Sequence, residues 1–217
     1  MKFTGFQSLH WIVWNILLAA IPVLIAYPLA FAIERLSLGK KRKVPLILWL
    51  LPTLVWLAFL PNACYLFTEW RHFLLDPDYR LQRSTNSDDA FAVLSMARQS
   101  IVFIIYSAAG AFSFGLSIRP MAALVKRWNI VSVACASIFY LLVSMGVYLG
   151  LVVRLNSWDL ATHPHYVLHT IKHAVTTPNL VITITVFAFC LWVLYTILDI
   201  WFDGLILRWK ALTKSRR

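Results

Sequence analysis

The sequence predicts an all-α fold, a polytopic transmembrane helical bundle of five spans with a short interfacial amphipathic helix. Three observations carry that prediction. Of the 217 residues, 60% are hydrophobic and 13% charged, against about 45–50% apolar and about 25% charged in soluble domains. Five apolar runs reach the roughly 20 residues that a helix needs to cross a bilayer. Those runs are continuously apolar and do not alternate every second residue, which argues against a β-barrel. One integral membrane domain over residues 1–217 accounts for the chain, leaving no stretch within it for a separate soluble domain.

The first span is expected at Trp11–Ile33. Ala30-Phe31-Ala32 resembles a signal-peptide cleavage site, but the apolar core is too long and Lys2 is a meagre positive flank, so the segment is read as retained. The second, Pro45–Phe67, carries Pro52 and Pro61. A proline inside a helix removes one backbone hydrogen bond and leaves the carbonyl four residues earlier without its donor, here that of Leu57 just before Asn62. The third, Phe91–Ile118, contains Arg98, whose charge costs about 2.5–3.5 kcal/mol in a membrane if left unpaired; Glu69 or Asp159 is the expected partner. The fourth, Ile130–Val153, contains Gly146 and Gly150, a small-xxx-small spacing that suits close helix packing. The fifth, Leu180–Phe202, ends near Asp199 and Asp203, read as helix-end acids beside Arg208 and Lys210, with proton coupling as the alternative.

The loops set an expected orientation. Arg35, Lys40, Lys41, Arg42 and Lys43 follow span one; Arg119, Lys126 and Arg127 follow span three; Arg208, Lys210, Lys214, Arg216 and Arg217 follow span five. The alternating loops hold an acidic segment from Asp76 to Asp89 and a histidine-rich segment from His163 to Pro178. By the positive-inside rule the protein sits in the cell membrane with its N-terminus outside and its C-terminus in the cytoplasm. The net charge of +11 then reports topology, and no nucleic-acid-binding signature accompanies it, so the expected partner is the lipid bilayer and not nucleic acid. Cys64, Cys135 and Cys190 fall singly in three different spans, a pattern of small buried residues and not of disulfides or zinc ligation.

Three constellations can carry chemistry at the expected outer face. On a continuing helix, Asn62, Glu69 and His72 share one side, and a carboxylate and imidazole three residues apart suit acid–base catalysis or a divalent metal. A solvated helix end anchored by Trp70 explains the same residues. Arg154, Asn156 and Asp159 lie together after span four, where they can meet a polar head group or pair internally. From Pro164, a proline placed for the first turn of a helix, His165, His169 and His173 follow at i, i+4, i+8. They oppose the apolar Val167, Leu168, Ile171, Ala174 and Val175. That is an amphipathic helix for the membrane surface, whose histidines can bind a metal, sense pH, or simply stay wet. Glycine-rich phosphate loops, nucleophile elbows and C-x-x-C pairs are missing from the sequence.

At these residues the chain resembles a bacterial family of multi-pass membrane proteins known as domain of unknown function 1361. The family pattern runs FLPNAPY, then T-D-L-x-H-L, then Y-x-G-R followed by R-x-NSWD. Here Phe59 to Tyr65 reads FLPNACY, Thr68 to Phe73 reads TEWRHF, Tyr148 to Gly150 reads YLG, and Arg154 to Asp159 reads RLNSWD. Cys64 replaces the usual proline, Glu69 the usual aspartate, and Leu151 the arginine that often follows the glycine. The resemblance implies a role for Asn62, Glu69, His72, Arg154, Asn156 and Asp159; it implies none for the histidine ladder and supplies no reaction.

The expected site is therefore an outward-facing polar pocket where spans two, three and four converge. Glu69, His72 and Asp159 are its candidate catalytic groups, and Asn62, Arg98, Arg154 and Asn156 its candidate contacts to a lipid head group or small polar ligand. Glu69 with His72, or His165, His169 and His173, are the candidate ligands of a divalent metal. The function expected is the processing of envelope lipids or lipid-linked substrates; the alternatives are a small transporter or channel component, or a membrane scaffold or assembly partner.

Overall fold

A computed structural model describes residues 5–38, 46–68, 90–127 and 132–214. Among the described residues seven helices follow in order: α1 (Gly5–Leu38), α2 (Leu46–Thr68), α3 (Ala90–Arg127), α4 (Val133–Leu151), α5 (Asp159–Thr162), α6 (Pro164–Thr176) and α7 (Pro178–Lys214). Five of them are long and apolar enough to cross a membrane, over Ile12–Arg35, Leu50–Thr68, Ser100–Arg127, Val133–Leu151 and Pro178–Lys214. The backbone has to satisfy its own hydrogen bonds where water is excluded, so continuous apolar runs resolve into helices. The protein is a multi-pass helical membrane bundle.

Three helices clearly outrun their expected ends, α1 continuing past Ile33 to Leu38. α3 continues past Ile118 to Arg127, with Pro120 inside it, and α7 continues past Phe202 to Lys214. Hydropathy marks where a segment leaves the apolar phase, whereas a helix stops only where a breaker or a cap stops it. At 1.5 Å per residue, the 37 residues of α7 span about 55 Å, well beyond a hydrocarbon core of about 30 Å. α4 instead ends two residues earlier than expected. Arg154 there adopts φ 64°, and the Leu155 amide turns back to the Leu149 carbonyl at 3.0 Å. The expected amphipathic helix after Pro164 is present as α6, with Val167, Thr170 and Ala174 buried.

α2 lies at the centre of the bundle, packed on α1, α3 and α4, while α7 closes it against α4, α3 and α6. Small residues set the closest approaches. A Cβ on Gly110 would stand 2.5 Å from Leu66 Cβ and 2.7 Å from the Ala63 carbonyl oxygen, and one on Gly146 would strike Pro61 Cγ. The small residue Gly146 thus packs as its spacing suggested, whereas Gly150 faces the Leu155 carbonyl of the following turn and no neighbouring helix. Two buried polar contacts lock the seams. Trp56 Nε1 donates to Ser117 Oγ at 2.7 Å, and Ser144 Oγ donates to the Ile184 carbonyl at 2.7 Å. Bonds of this kind within a membrane average about 0.6 kcal/mol each.

The termini give the bundle two unlike ends. α1, α3 and α7 all finish at one end, which is rich in Lys and Arg; α2 and α4 finish at the other. At the basic end Arg119 bonds to Asp203 and lies 3.5 Å from Asp199, Lys126 lies 3.6 Å from Asp199, and Arg127 pairs with Glu34. Asp199 and Asp203 therefore meet cations of α3 and not Arg208 and Lys210. α7 is still helical there, so its acids project sideways onto the neighbouring helix rather than fraying beyond it.

Candidate functional site

At the other end, α2 and α4, in contact at Pro61 and Gly146, line an open-mouthed cavity of about 530 Å³ together with the segment after α4. Leu54, Leu57 and Ala58 of α2 and Leu142, Met145 and Leu149 of α4 form its walls. Leu155, Asn156 and Ser157 of the connecting turn, Leu160 and Ala161 of α5, and Val167 and Ile171 of α6 complete it. That volume lies within the roughly 300–1,000 Å³ range of ligand pockets, and the mainly apolar lining with a few convergent polar groups is their usual composition.

The polar groups gather where α2 meets the turn after α4. Asn62 Nδ2 donates to the Phe59 carbonyl at 3.1 Å and to Ser157 Oγ at 3.0 Å, bridging 95 positions of sequence in the second bond. Both Nδ2 hydrogens are then engaged, so Asn62 can offer a ligand its carbonyl oxygen, while Ser157 retains its own hydroxyl hydrogen to donate. Leu57, whose carbonyl loses its helical donor to Pro61, also lines the cavity. Tyr65 lines it one turn further along α2.

Asp159 holds the turn from below. Its Oδ2 accepts the Asn156 amide at 2.7 Å, while its own amide donates to the Asn156 carbonyl at 3.0 Å. These reciprocal bonds fix Asn156 and Ser157 against the cavity. The Asn156 amide, helped by the Thr162 hydroxyl and by His163 at 3.7 Å, holds the Asp159 carboxyl below its ordinary value despite some opposing desolvation. Arg154, four residues beyond Gly150, is the residue among those described that is neither glycine nor in a negative-φ conformation. The left-handed conformation crowds the Cβ against the backbone and costs an ordinary side chain roughly 1–2 kcal/mol. Its side chain is exposed, one residue before the cavity-lining Leu155, and among the described residues it has no ion-pair partner.

The remaining candidates are placed differently. Glu69 and His72 lie outside the described residues. Arg98 is exposed on α3 and is not among the cavity-lining residues, and Asp159 is bonded to Asn156, Thr162 and His163 instead. The cavity walls come from α2, α4 and the α5–α6 segment, so α6 occupies the place expected of the third span. The reason lies in the packing of α3 on α1, α2 and α7, which keeps it away from the α4 side.

His165, His169 and His173 are all exposed on α6. Eight residues separate the first and last by about 12 Å, too far for one ion, and among the described residues no group of three His, Cys, Asp or Glu side chains converges on a metal position. Ser157 is the contact that residue types alone did not single out. Its available signal was its place between Asn156 and Asp159, but only the fold shows it reaching Asn62.

No curated protein and no solved structure matches the chain. The family model for DUF1361, a protein family of unknown function, matches residues 14–194 and so covers α2, α4 and the whole cavity rim. The chain belongs to the DUF1361 family.

Proposed function

We propose that the protein binds an envelope lipid or lipid-linked molecule in the cavity between α2 and α4 and takes part in its processing. The observation that carries this reading is the cavity's division into a long aliphatic wall and a single polar edge at Asn62, Asn156 and Ser157. An amphipathic ligand matches that division: its chain removes the aliphatic wall from water or lipid disorder, and its polar group meets the Ser157 hydroxyl and the Asn62 carbonyl. Arg154, exposed one residue before the cavity-lining Leu155, supplies the charge for an anionic head group. In this reading the energetic cost of holding Arg154 in a left-handed conformation is offset by binding.

Asp159 acts as a positioning residue, since its carboxylate is committed to the Asn156 amide. Glu69 and His72, seven and ten positions after Asn62, are the proposed acid–base pair or the proposed ligands of a divalent metal. The N-terminus outside and the C-terminus in the cytoplasm, as the charge bias indicates, would place this site at the outer leaflet.

The test is the identity of what co-purifies. Lipid extraction and mass analysis of protein from its native membrane should reveal one enriched lipid class, lost when Ala161→Trp fills the cavity. Arg154→Gln should keep the fold and weaken retention of that lipid. A wild-type protein with no enriched lipid overturns the reading. Glu69→Gln and His72→Ala should leave bound lipid in place while blocking its conversion, and metal analysis of the same variants decides between metal and proton chemistry.

A further inference from the structure

The last ten residues of α7, Leu205 to Lys214, stand apart from the cavity and from the ion pairs of the basic end. From Trp201 to Lys214 every side chain except Phe202 is exposed. Large apolar side chains dominate the segment: Leu207 and Trp209 are 66% and 71% exposed, and Leu205, Ile206 and Leu212 are also open. Such a surface is not tolerated in bulk water without a reason. Interleaved with these residues are Arg208, Lys210 and Lys214, and the sequence continues with Arg216 and Arg217; no Asp or Glu follows Asp203.

The arrangement along the helix narrows the partner. Leu205, Trp209 and Leu212 recur at i, i+4 and i+7 and form one stripe. Arg208 borders it, while Lys210 and Lys214, one turn apart, lie on the opposite side of the helix beside Ile206 and Leu207, so apolar and cationic side chains alternate around the whole axis. A nucleic acid would neutralise the cations but leave the leucines and indole exposed. An apolar protein groove would bury the stripe and strand the cations. A bilayer boundary satisfies both, because acyl chains cover the leucines, the indole sits at the carbonyl level, and lipid phosphates meet the cations, whose stems snorkel outward.

We propose that the α7 segment Leu205–Lys214 is a docking surface for the head groups of anionic phospholipids in the leaflet at the basic end. Asp203 ties α7 to α3 through Arg119, and the helix continues unbroken beyond Gly204 into the head-group layer. Its apolar side chains meet acyl chains around the helix while Arg208, Lys210 and Lys214 snorkel to phosphodiester groups. This reading is independent of any ligand in the cavity and of the side of the membrane on which the basic end lies.

Native mass spectrometry of the full chain in neutral detergent, titrated with dioleoylphosphatidylglycerol or dioleoylphosphatidylcholine, tests it. The wild type should prefer phosphatidylglycerol at least tenfold, with the preference falling as ammonium acetate is raised. A cation near an anionic membrane surface contributes about 1 kcal/mol, or roughly a fivefold change in affinity. Arg208→Gln, Lys210→Gln and Lys214→Gln combined should therefore abolish most of that preference. Trp209→Ala should lower the affinity for both lipids while preserving the ratio between them. Equal binding of the two lipids by the wild type, an unchanged preference in the triple variant, or displacement of the lipid by inorganic phosphate or a short oligonucleotide would overturn the proposal. Because these side chains are exposed, the triple variant should melt within a few degrees of the wild type, so loss of binding will not be confused with loss of fold.

Discussion

The two ends of the bundle use polar residues in opposite ways. At the basic end polar groups are spent on one another: Arg119 spans Asp199 and Asp203, Arg127 meets Glu34, and the rings of Phe112 and Trp201 stack at 5.3 Å between the same two helices, α3 and α7. At the cavity end, polar groups are held in position but not exhausted. Asn62 and Ser157 use one bond to fix each other and retain capacity for a ligand, and Arg154 projects from a strained backbone without an ionic partner among the described residues. The difference teaches where flexibility and chemistry can reside. A bundle locked by charges and rings at one end can leave a cavity at the other without falling apart.

The largest expected effect attacks the point that separates the two regimes. Gly146→Leu forces a branched side chain into Pro61, so α2 and α4 must part. Overpacking typically costs about 1–3 kcal/mol and more when no neighbour can yield, and thermal unfolding in detergent should show one of the lowest melting temperatures of any variant here. An unchanged melting temperature would mean that the seam is loose and the contrast between the ends is false. Next is Arg119→Met, which leaves Asp199 with Lys126 alone and Asp203 without its partner. These groups are partly solvated, so the loss should be about 1–2 kcal/mol, well short of a fully buried pair. It should appear as loosened packing between α3 and α7, measurable by cross-linking of engineered cysteines at 115 and 198, while the cavity's lipid is retained.

The legible part of this molecule follows from local chemistry. Five spans, the amphipathic α6 and the turn-forming Pro164 could all be read because hydropathy and helix-start signals act over a few residues. The ends of α3 and α7 could not, since charge marks the exit from lipid and not the end of a helix. Asn62, Asn156 and Asp159 were visible in the sequence as polar groups beside apolar spans, and the structure gathers Asn62 and Asn156 on one cavity edge with Asp159 bonded to Asn156. The bond from Asn62 to Ser157 was not visible, because it depends on the rotation of α2 against a turn 95 residues away. The charge of Arg98 was equally visible, but that it is exposed on α3 and does not line the cavity came from the packing.

Two smaller effects sharpen the contrast at the cavity end. Arg154→Gly should relieve the left-handed backbone and raise stability by up to about 1 kcal/mol, while weakening ligand retention. A variant that melts higher but binds less would identify Arg154 as a functional residue held at a structural cost; one that melts lower would assign it to the fold. The smallest effect concerns pH. The native Asp159 carboxyl is held below its ordinary value, so the unfolded state binds the proton more readily. Its contribution is then present above the ordinary carboxylate range and is lost as pH falls through the lower native value. The stability difference between wild type and Asp159→Asn should accordingly be constant from pH 7 to about pH 5 and shrink only in stronger acid. A difference that already fades near pH 6 would show that the Asp159 carboxyl is not the controlling group.

The sequence by itself determined the environment, the five crossings and the all-helical backbone. Each follows from the cost of placing an unpaired peptide group or charge in hydrocarbon, a cost set residue by residue. Tertiary structure alone decided that Pro61 meets Gly146, that Asn62 meets Ser157, that α6 and not α3 walls the cavity, and that Arg119 belongs to Asp199 and Asp203. Those contacts depend on how helices of nearly uniform hydrophobicity rotate against one another. In such helices no amphipathic stripe announces the buried face, so close packing at small residues makes the choice.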